Sequence, residues 1–349
     1  MKALVLGRGK SGEAAAAVLR AQGCDVEFAE GFDCVVASPG IPVKSELQLG
    51  CEELKRRGWK LVAITGSKGK SSVVKLVAEA IGGIPCGNYG RPVSDLIREP
   101  PGWAIVEVSS FQLETTALDP DTFEAVTILN LQEDHLNRHG CVEVYHAIKR
   151  RLLTMTRHVI GSDDVSEKDL ELLKTSYFDN GVLRENGLKA IGLLRVMGLN
   201  DSQIMRAFRD FKPLPHRMNL IAEIEGVRYI DDSKATSIAA LIAGVQMAGA
   251  AVRLIAGGQA KGDDPLCACS TLTERVKKVY LIGQSAEAFL SAWQGAVRCE
   301  VCGTLARAVE RARCEAVKGE TVLLSPGTAS FDQFHSFEER GECFARLIQ

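Results

Sequence analysis

Leu61-Val-Ala-Ile-Thr-Gly-Ser-Lys-Gly-Lys-Ser-Ser72 decides the fold. Its first four residues form an unbroken apolar run, as a strand buried on both faces requires, and a helix is predicted over about Val73 to Ile81. Between them lie two glycines and two lysines. Glycines let backbone N–H groups turn inward around phosphate oxygens, and the start of a helix adds its positive dipole. Gly66, Ser67, Lys68, Gly69, Lys70, Ser71 and Ser72 therefore read as a nucleotide-phosphate loop. Lys70 can reach the β- and γ-phosphates, and the Ser71 hydroxyl can ligate Mg2+. The full P-loop pattern has glycine where this chain has Ile64. The strand before it and the Gly-Lys-Ser core carry the reading.

Strands and helices alternate on both sides of this stretch. Ala3 to Leu6, Asp25 to Ala29 and Cys34 to Ala37 precede it as short strands, with helices at Glu13 to Ala21 and Glu46 to Arg57. Ala104 to Val108 and Ala125 to Leu129 follow as strands, Glu143 to Thr156 as a helix, and Lys189 to Phe211 as two helices. Gly161 to Gly187 is polar and poorly periodic. Phe211-Lys-Pro-Leu-Pro215 marks a boundary, since two prolines stop a helix and favour extended chain. Beyond it the alternation restarts. Strands are predicted at Val227 to Ile230, Ala251 to Ala256, Lys278 to Ile282, Cys299 to Val301 and Thr321 to Leu324, and a helix over Phe337 to Ile348 closes the chain. The expectation is a parallel α/β architecture with ligands at the carboxyl ends of the strands.

The 349 residues fit two or three domains of ordinary size, roughly 150 residues each. The net charge of −2 argues against a protein held mainly by nucleic-acid phosphates or an anionic membrane surface. No apolar run approaches the roughly 20 residues that cross a bilayer, so a cytoplasmic protein without a membrane partner is expected. The eleven cysteines include a single CxxC, Cys299 to Cys302, and read as reduced thiols.

Other motifs stand at strand ends. Gly7-Arg-Gly-Lys-Ser-Gly12 fits a dinucleotide fingerprint, a site for another phosphate-bearing ligand, or a tight turn. Glu107, Asp134 and His135 follow strands and suit Mg2+ ligation or water ordering if those strands neighbour the phosphate loop. Lys149, in Tyr145-His-Ala-Ile-Lys-Arg-Arg151, reads on spacing alone as part of a solvated basic helix face. In the last segment Arg217, Lys234 and Lys261 gather cations at strand ends, as polyphosphate or carboxylate substrates require.

Six phrases, in order along the chain, give a resemblance to the Mur ligase family. They are Ile64 to Ser71, Glu107-Val-Ser-Ser-Phe-Gln-Leu-Glu114, Ile128-Leu-Asn-Leu-Gln-Glu-Asp-His135, Leu214-Pro-His-Arg217, Asp231-Asp-Ser-Lys-Ala-Thr236 and Leu324-Ser-Pro-Gly-Thr-Ala-Ser-Phe-Asp-Gln-Phe334. The second and last are most similar to the D-glutamate-adding member. The resemblance implies three domains. A small Rossmann-like domain over 1–42 takes the UDP substrate, a central P-loop ATPase domain over 43–212 takes ATP, and a Rossmann-like domain over 213–349 takes the amino acid. It implies ATP-driven joining of D-glutamate to UDP-N-acetylmuramoyl-L-alanine through an acyl phosphate, in peptidoglycan precursor synthesis, by a monomer.

Position by position, the resemblance assigns Lys70, His135 and Lys149 to catalysis. Ser71, Glu107 and His135 go to two Mg2+ ions, joined by Lys149 if it is carbamylated. Asn186, His216, Arg217 and Asp232 join the phosphate loop around ATP. Lys10, Ser11, Ser38, Gly40 and Asn88 meet the UDP substrate. Lys234, Thr236, Lys261, Ser330 and Phe337 surround D-glutamate. The chain departs from the family pattern in its short first domain, in Val182 and Leu183 where a His-Asn pair stands before Asn186, and in Asn137 where aspartate stands. The alternatives are a ligase of the same type with another acceptor or amino acid, as in folylpolyglutamate synthase-like relatives, and a nucleotide-binding relative without turnover.

Overall fold

The computed structural model describes residues 1–31, 43–161 and 166–349, and for Asn137 and Glu167 the backbone only. Ser38, Gly40 and the strand expected at Cys34 to Ala37 lie outside these residues. The chain divides into two compact units, Met1–Asp179 with Leu183–Phe211, and Asn180–Val182 with Lys212–Gln349. The segment before residue 32 falls inside the first unit.

The first unit runs β1 (Lys2–Leu6), α1 (Lys10–Ala21), β2 (Asp25–Ala29), α2 (Glu46–Arg56), β3 (Lys60–Thr65), α3 (Lys70–Ile81), β4 (Ile84–Gly87) and β5 (Trp103–Glu107). It continues with α4 (Ser110–Thr115), β6 (Ala125–Ile128), α5 (Leu136–His139), α6 (Val142–Arg150), β7 (Val159–Ile160), α7 (Glu167–Leu173), α8 (Arg184–Val196) and α9 (Asp201–Asp210). Its main sheet is parallel, ordered β4-β5-β3-β6-β7, so the phosphate-loop strand is central. Both faces of β3 are buried. Leu61 and Ala63 pack with Leu47, Cys51 and Leu54 of α2, while Val62 and Ile64 are equally inaccessible on the other face. α3 and α8 pack together.

The first strands make a separate two-stranded parallel sheet, β1 with β2. A sheet of two strands buries too little to stand alone. It leans on its neighbour through α1, whose Ala15 and Val18 pack on Leu49 of α2, with Ile97 against them. Gln22 also donates to Glu53 at 3.0 Å.

The second unit runs β8 (Asn219–Ile224), β9 (Val227–Asp231), α10 (Ile238–Ala248), β10 (Val252–Gly257), α11 (Cys269–Arg275), β11 (Val276–Ile282), α12 (Ala286–Trp293), β12 (Cys299–Gly303), α13 (Leu305–Glu315), β13 (Thr321–Leu324) and α14 (Phe337–Ile348). The sheet order is β12-β11-β10-β13-β9-β8, with only β8 antiparallel. Side chains alternate between two cores. Leu254, Ala256, Val279 and Leu281 face α10 and α12, whereas Ile255, Tyr280 and Ile282 face α13 and α14. Period two on a sheet covered on both faces is why these strands read as plain apolar runs.

Two expectations change, and β4 is a strand the sequence reading did not include. The helix expected from Glu143 to Thr156 is α-helical only to Arg150 and continues as a 3-10 turn over Arg151–Met155. The polar stretch from Gly161 contains α7, which opens on a Ser166–Asp169 capping box. β4 carries Pro85, tolerated because this strand is the edge of its sheet. Among the described residues, no helix is long and apolar enough to cross a membrane.

Candidate active site

In the first unit, the carboxyl ends of β5, β3 and β6 lie side by side, with Ile64 opposite Glu107 and Thr65 opposite Ile128. The phosphate loop leaves the middle strand. Gly69 caps α3 at φ +81°, a left-handed conformation suited to glycine, and the Asn186 amide fills the space where its Cβ would stand. Asn130, just after β6, ties the pieces together. Its Oδ1 accepts from Lys68 N at 2.9 Å, and its Nδ2 donates to Lys68 O at 2.8 Å and Asn186 Oδ1 at 3.0 Å. Ser67 is buried and its Oγ bonds Gln132 O at 2.9 Å and Tyr145 Oη at 3.1 Å. Lys70 folds back on the loop, donating to Gly66 O at 2.8 Å and Ser67 O at 3.1 Å. Ser71 and Ser72 are buried in the first turn of α3.

Glu107 ends β5 and is 1% exposed. Its Oε1 accepts from Asn88 Nδ2 at 2.6 Å, while its Oε2 is buried without a hydrogen-bond partner. A buried carboxylate oxygen left unpaired is costly, and a cation would satisfy it. Asn88 itself follows β4, and its backbone N donates to Glu107 O at 2.9 Å. Structurally, Asn88 is therefore a partner of Glu107.

Lys149 is not solvated. It is 2% exposed, four residues after Tyr145 on the inward face of α6, and its Nζ lies 3.3 Å from Thr65 Oγ1 and 4.9 Å from the Tyr145 ring centre. Burial and the neighbouring Lys70 push its pKa down to about 7, against the pull of Asp134 and Glu107. His135 occupies the left-handed region at φ +55° and caps α5. Its ring packs near Phe111, 5.0 Å between centres. Burial lowers the His135 pKa, Lys70 and Lys149 lower it further, and Asp134 opposes them. The neutral imidazole that results is the form that ligates metals. Asp134 is held below its usual range by Lys68, 3.3 Å away, and by His135, although its burial acts the other way. Among the described residues, no three His, Cys, Asp or Glu side chains gather into a complete metal cage. A hard cation here would share its shell with substrate oxygens and water, as Mg2+ does with nucleotides.

In the same unit, Lys10 and Ser11 are exposed in the first turn of α1. A cavity of about 630 Å³ runs along this helix, and Arg8, Lys10, Arg20, Arg91 and Arg98 line it.

In the second unit, the loops after β9, β10 and β13 share one sheet edge. His216 donates from Nδ1 to Asp231 Oδ2 at 2.6 Å, and Gly341 of α14 leaves room for that pair. Asp232 is buried and accepts from Ser325 Oγ at 2.8 Å. Burial raises its carboxyl to about 7, against the Ser325 hydrogen bond. Arg217 acts on Asp232 electrostatically. Lys234 Nζ sits 4.0 Å from the Phe337 ring centre, a cation–π contact. Ser330 is buried, and Thr236 is half-buried. Lys261 stands exposed on the loop after β10. The structure thus gathers Lys234 with Phe337 and leaves Lys261 in solvent.

Four residues of these sites escaped sequence reasoning. Asn130, Tyr145 and Asp231 stand inside phrases that were quoted but were given no role there, and the polar residue straight after β6 was a usable signal for Asn130. Arg340 gave none.

Two family descriptions match the chain, the Mur ligase middle domain over residues 93–178 and the Mur ligase glutamate ligase domain over 216–328. The UDP-N-acetylmuramoylalanine–D-glutamate ligase of Sphingopyxis alaskensis is 35% identical, over 91% of this chain and 84% of its own length. The enzyme of that name from Acidobacterium capsulatum is 31% identical, over 99% and 96%. That alignment has 448 positions, more than the chain has residues, because the chain lacks segments its relative has. Among solved structures, the MurF ligase of Thermotoga maritima in complex with ADP superposes with a TM-score of 0.65, at 14% identity, over 99% of this chain and 94% of that one. MurC of the same organism gives 0.61, at 14% identity, over 100% and 99%. These two likenesses concern the fold. With the two domain matches and full-length relatives above 30% identity, the chain belongs to the Mur ligase family, among the UDP-N-acetylmuramoylalanine–D-glutamate ligases.

Proposed function

We infer that the chain is an ATP-dependent ligase joining D-glutamate to UDP-N-acetylmuramoyl-L-alanine, the activity for which its relatives are named. The observation that carries this is Glu107, buried with one oxygen unpartnered, beside the strand that leads to Lys70. A structural carboxylate would have its partners; this one fits a cation. Mg2+ held by Ser71, Glu107 and His135, at two sites, would neutralise the charge of the ATP phosphates.

The chemistry proceeds in two balanced steps. The substrate carboxylate attacks the γ-phosphorus of ATP, the bond to the bridging oxygen breaks, and ADP leaves with the acyl phosphate formed. The amine of D-glutamate then attacks the acyl carbon, loses a proton, and inorganic phosphate departs as the amide forms. Lys70 turns from the loop carbonyls it now binds to the β- and γ-phosphates. Lys149, with its pKa near 7, keeps a share of neutral amine at neutral pH. That amine can add CO2 and release a proton, becoming a carbamate anion beside the Mg2+ site.

Residues 1–42 with Asn88 are assigned to the UDP end, 43–212 to ATP with Asn186, and 213–349 to the amino acid. His216, Arg217 and Asp232 are assigned to the nucleotide, and Lys234, Thr236, Lys261, Ser330 and Phe337 to D-glutamate. Purified chain with ATP, Mg2+ and UDP-N-acetylmuramoyl-L-alanine should release phosphate with D-glutamate and yield the joined product by mass spectrometry. Release with another amino acid or acceptor instead would overturn the assignment of substrate, and binding of ATP with no release would leave a non-catalytic relative.

A further inference from the structure

Arg340 lies on α14 and is 1% exposed; among the fully buried side chains of the described residues only Trp293 is larger. All three of its guanidinium nitrogens are used. Nε donates to Ser233 Oγ at 2.9 Å, Nη2 to Ser233 O at 2.9 Å and Thr328 O at 3.2 Å, and Nη1 to Ala329 O at 3.3 Å. Ser233 Oγ in turn donates to Phe337 O at 2.8 Å. Among the described residues no carboxylate comes within ion-pair distance, and Asp332 and Asp231 act on the guanidinium only from farther away. Burial pushes its pKa down to about 10.

A buried charge that meets only carbonyls and a hydroxyl is a poor device for stability, since apolar side chains fill such space at lower cost. What this one does is geometric. Its planar fork joins the loop after β9, the loop after β13 and the start of α14. Lys234 is the residue after Ser233, Thr236 lies three beyond it, Ser330 follows Ala329, and the Phe337 carbonyl closes the relay. We propose that Arg340 is a positioning residue that sets the spacing of Lys234, Thr236, Ser330 and Phe337 for the incoming amino acid. This rests on the reading of these loops as the D-glutamate site. Lysine cannot replace it, because an ammonium group on a flexible stem lacks the three fixed directions that the bonds use.

Steady-state ligation by the full chain, with Arg340→Lys and Arg340→Gln variants and a thermal melt of each, tests the proposal. Both variants should raise the KM for D-glutamate at least tenfold. The KM for ATP should stay within about threefold, because His216, Asp231 and Asp232 have anchors of their own, and kcat should fall less than the KM rises. An unchanged D-glutamate KM in a folded variant overturns the proposal, and so does an equal rise for ATP and D-glutamate. If neither variant folds, Ser233→Ala, which removes the Nε acceptor and the relay to Phe337, is held to the same outcomes. A wild-type chain that joins a different amino acid refutes the D-glutamate reading, and the Arg340 comparison is then made with that amino acid. A wild-type chain that joins none overturns both.

Discussion

At the scale of single residues, titratable groups sit where water cannot solvate their charge. Lys149 is a lysine by sequence and half an amine by environment. Its pKa is lowered to about 7, so between about pH 7 and its ordinary value the folded state binds fewer protons than the unfolded one. Its contribution to stability therefore grows as pH rises through that window. Lys149→Met should flatten this rise, leave the melting temperature at pH 7 equal or higher, and reduce ligation at least a hundredfold; melts from pH 7 to 9.5 with turnover at each point check it. Asp232 behaves with the opposite sign. With its pKa raised to about 7 from 3.8, the folded state holds a proton that the unfolded state has lost. Its contribution is complete below about pH 3.8 and is lost as pH rises to 7. Asp232→Asn should remove that loss, which urea denaturation of both proteins at pH 4.5 and 7.5 would show as a smaller difference in the variant. Neither environment was legible in the sequence. Lys149 lies among Arg150, Arg151 and His146 and reads as a basic surface, because spacing along a helix does not say which face meets the sheet. Arg340, in Glu338-Glu-Arg-Gly341, is hidden for the same reason.

At the scale of elements, most of the architecture was legible because the large sheet of each unit is parallel at heart and its central strands are short apolar runs that give way to Gly or polar residues. What escaped were edges. β8 is antiparallel and half solvated, and β4 is only four residues with a proline, so neither makes the buried run that betrays a central strand. Packing of elements also explains glycines that look dispensable. Gly341 is inside α14, where alanine is ordinarily favoured by about 1 kcal/mol. Here a Cβ would strike His216 Nδ1 and come within 2.7 Å of Asp231 Oδ2. The clash outweighs propensity. Gly341→Ala should destabilise the second unit by about 1–3 kcal/mol, measured by chemical denaturation, and move His216 away from Asp231.

At the scale of the whole molecule, the short first segment packs as part of the first unit. Its only described hydrophobic cluster, Ala15, Val18 and Leu49 with Leu19 and Ile97, is shared between the two. Val18→Asp would place a carboxylate in that cluster. Hydrogen exchange should then show α1 and the Leu49 turn of α2 losing protection together while α3 keeps its own; an α1 that opens alone would show an independent module. Across the main sheet, the ends of β4 and β5 are joined by Asn88 and Glu107. The hydrogen bond at 2.6 Å holds the Glu107 carboxylate in place in the folded chain without any bound ligand. The entropy of ordering that carboxylate is then lost once, when the chain folds, and not again at each binding event. Asn88, proposed above to meet the UDP substrate, thus also preorganises a neighbouring charge. If the proposed Mg2+ binds Glu107, loss of Asn88 would weaken that binding as well as substrate binding, so a change aimed at one ligand would be felt by another.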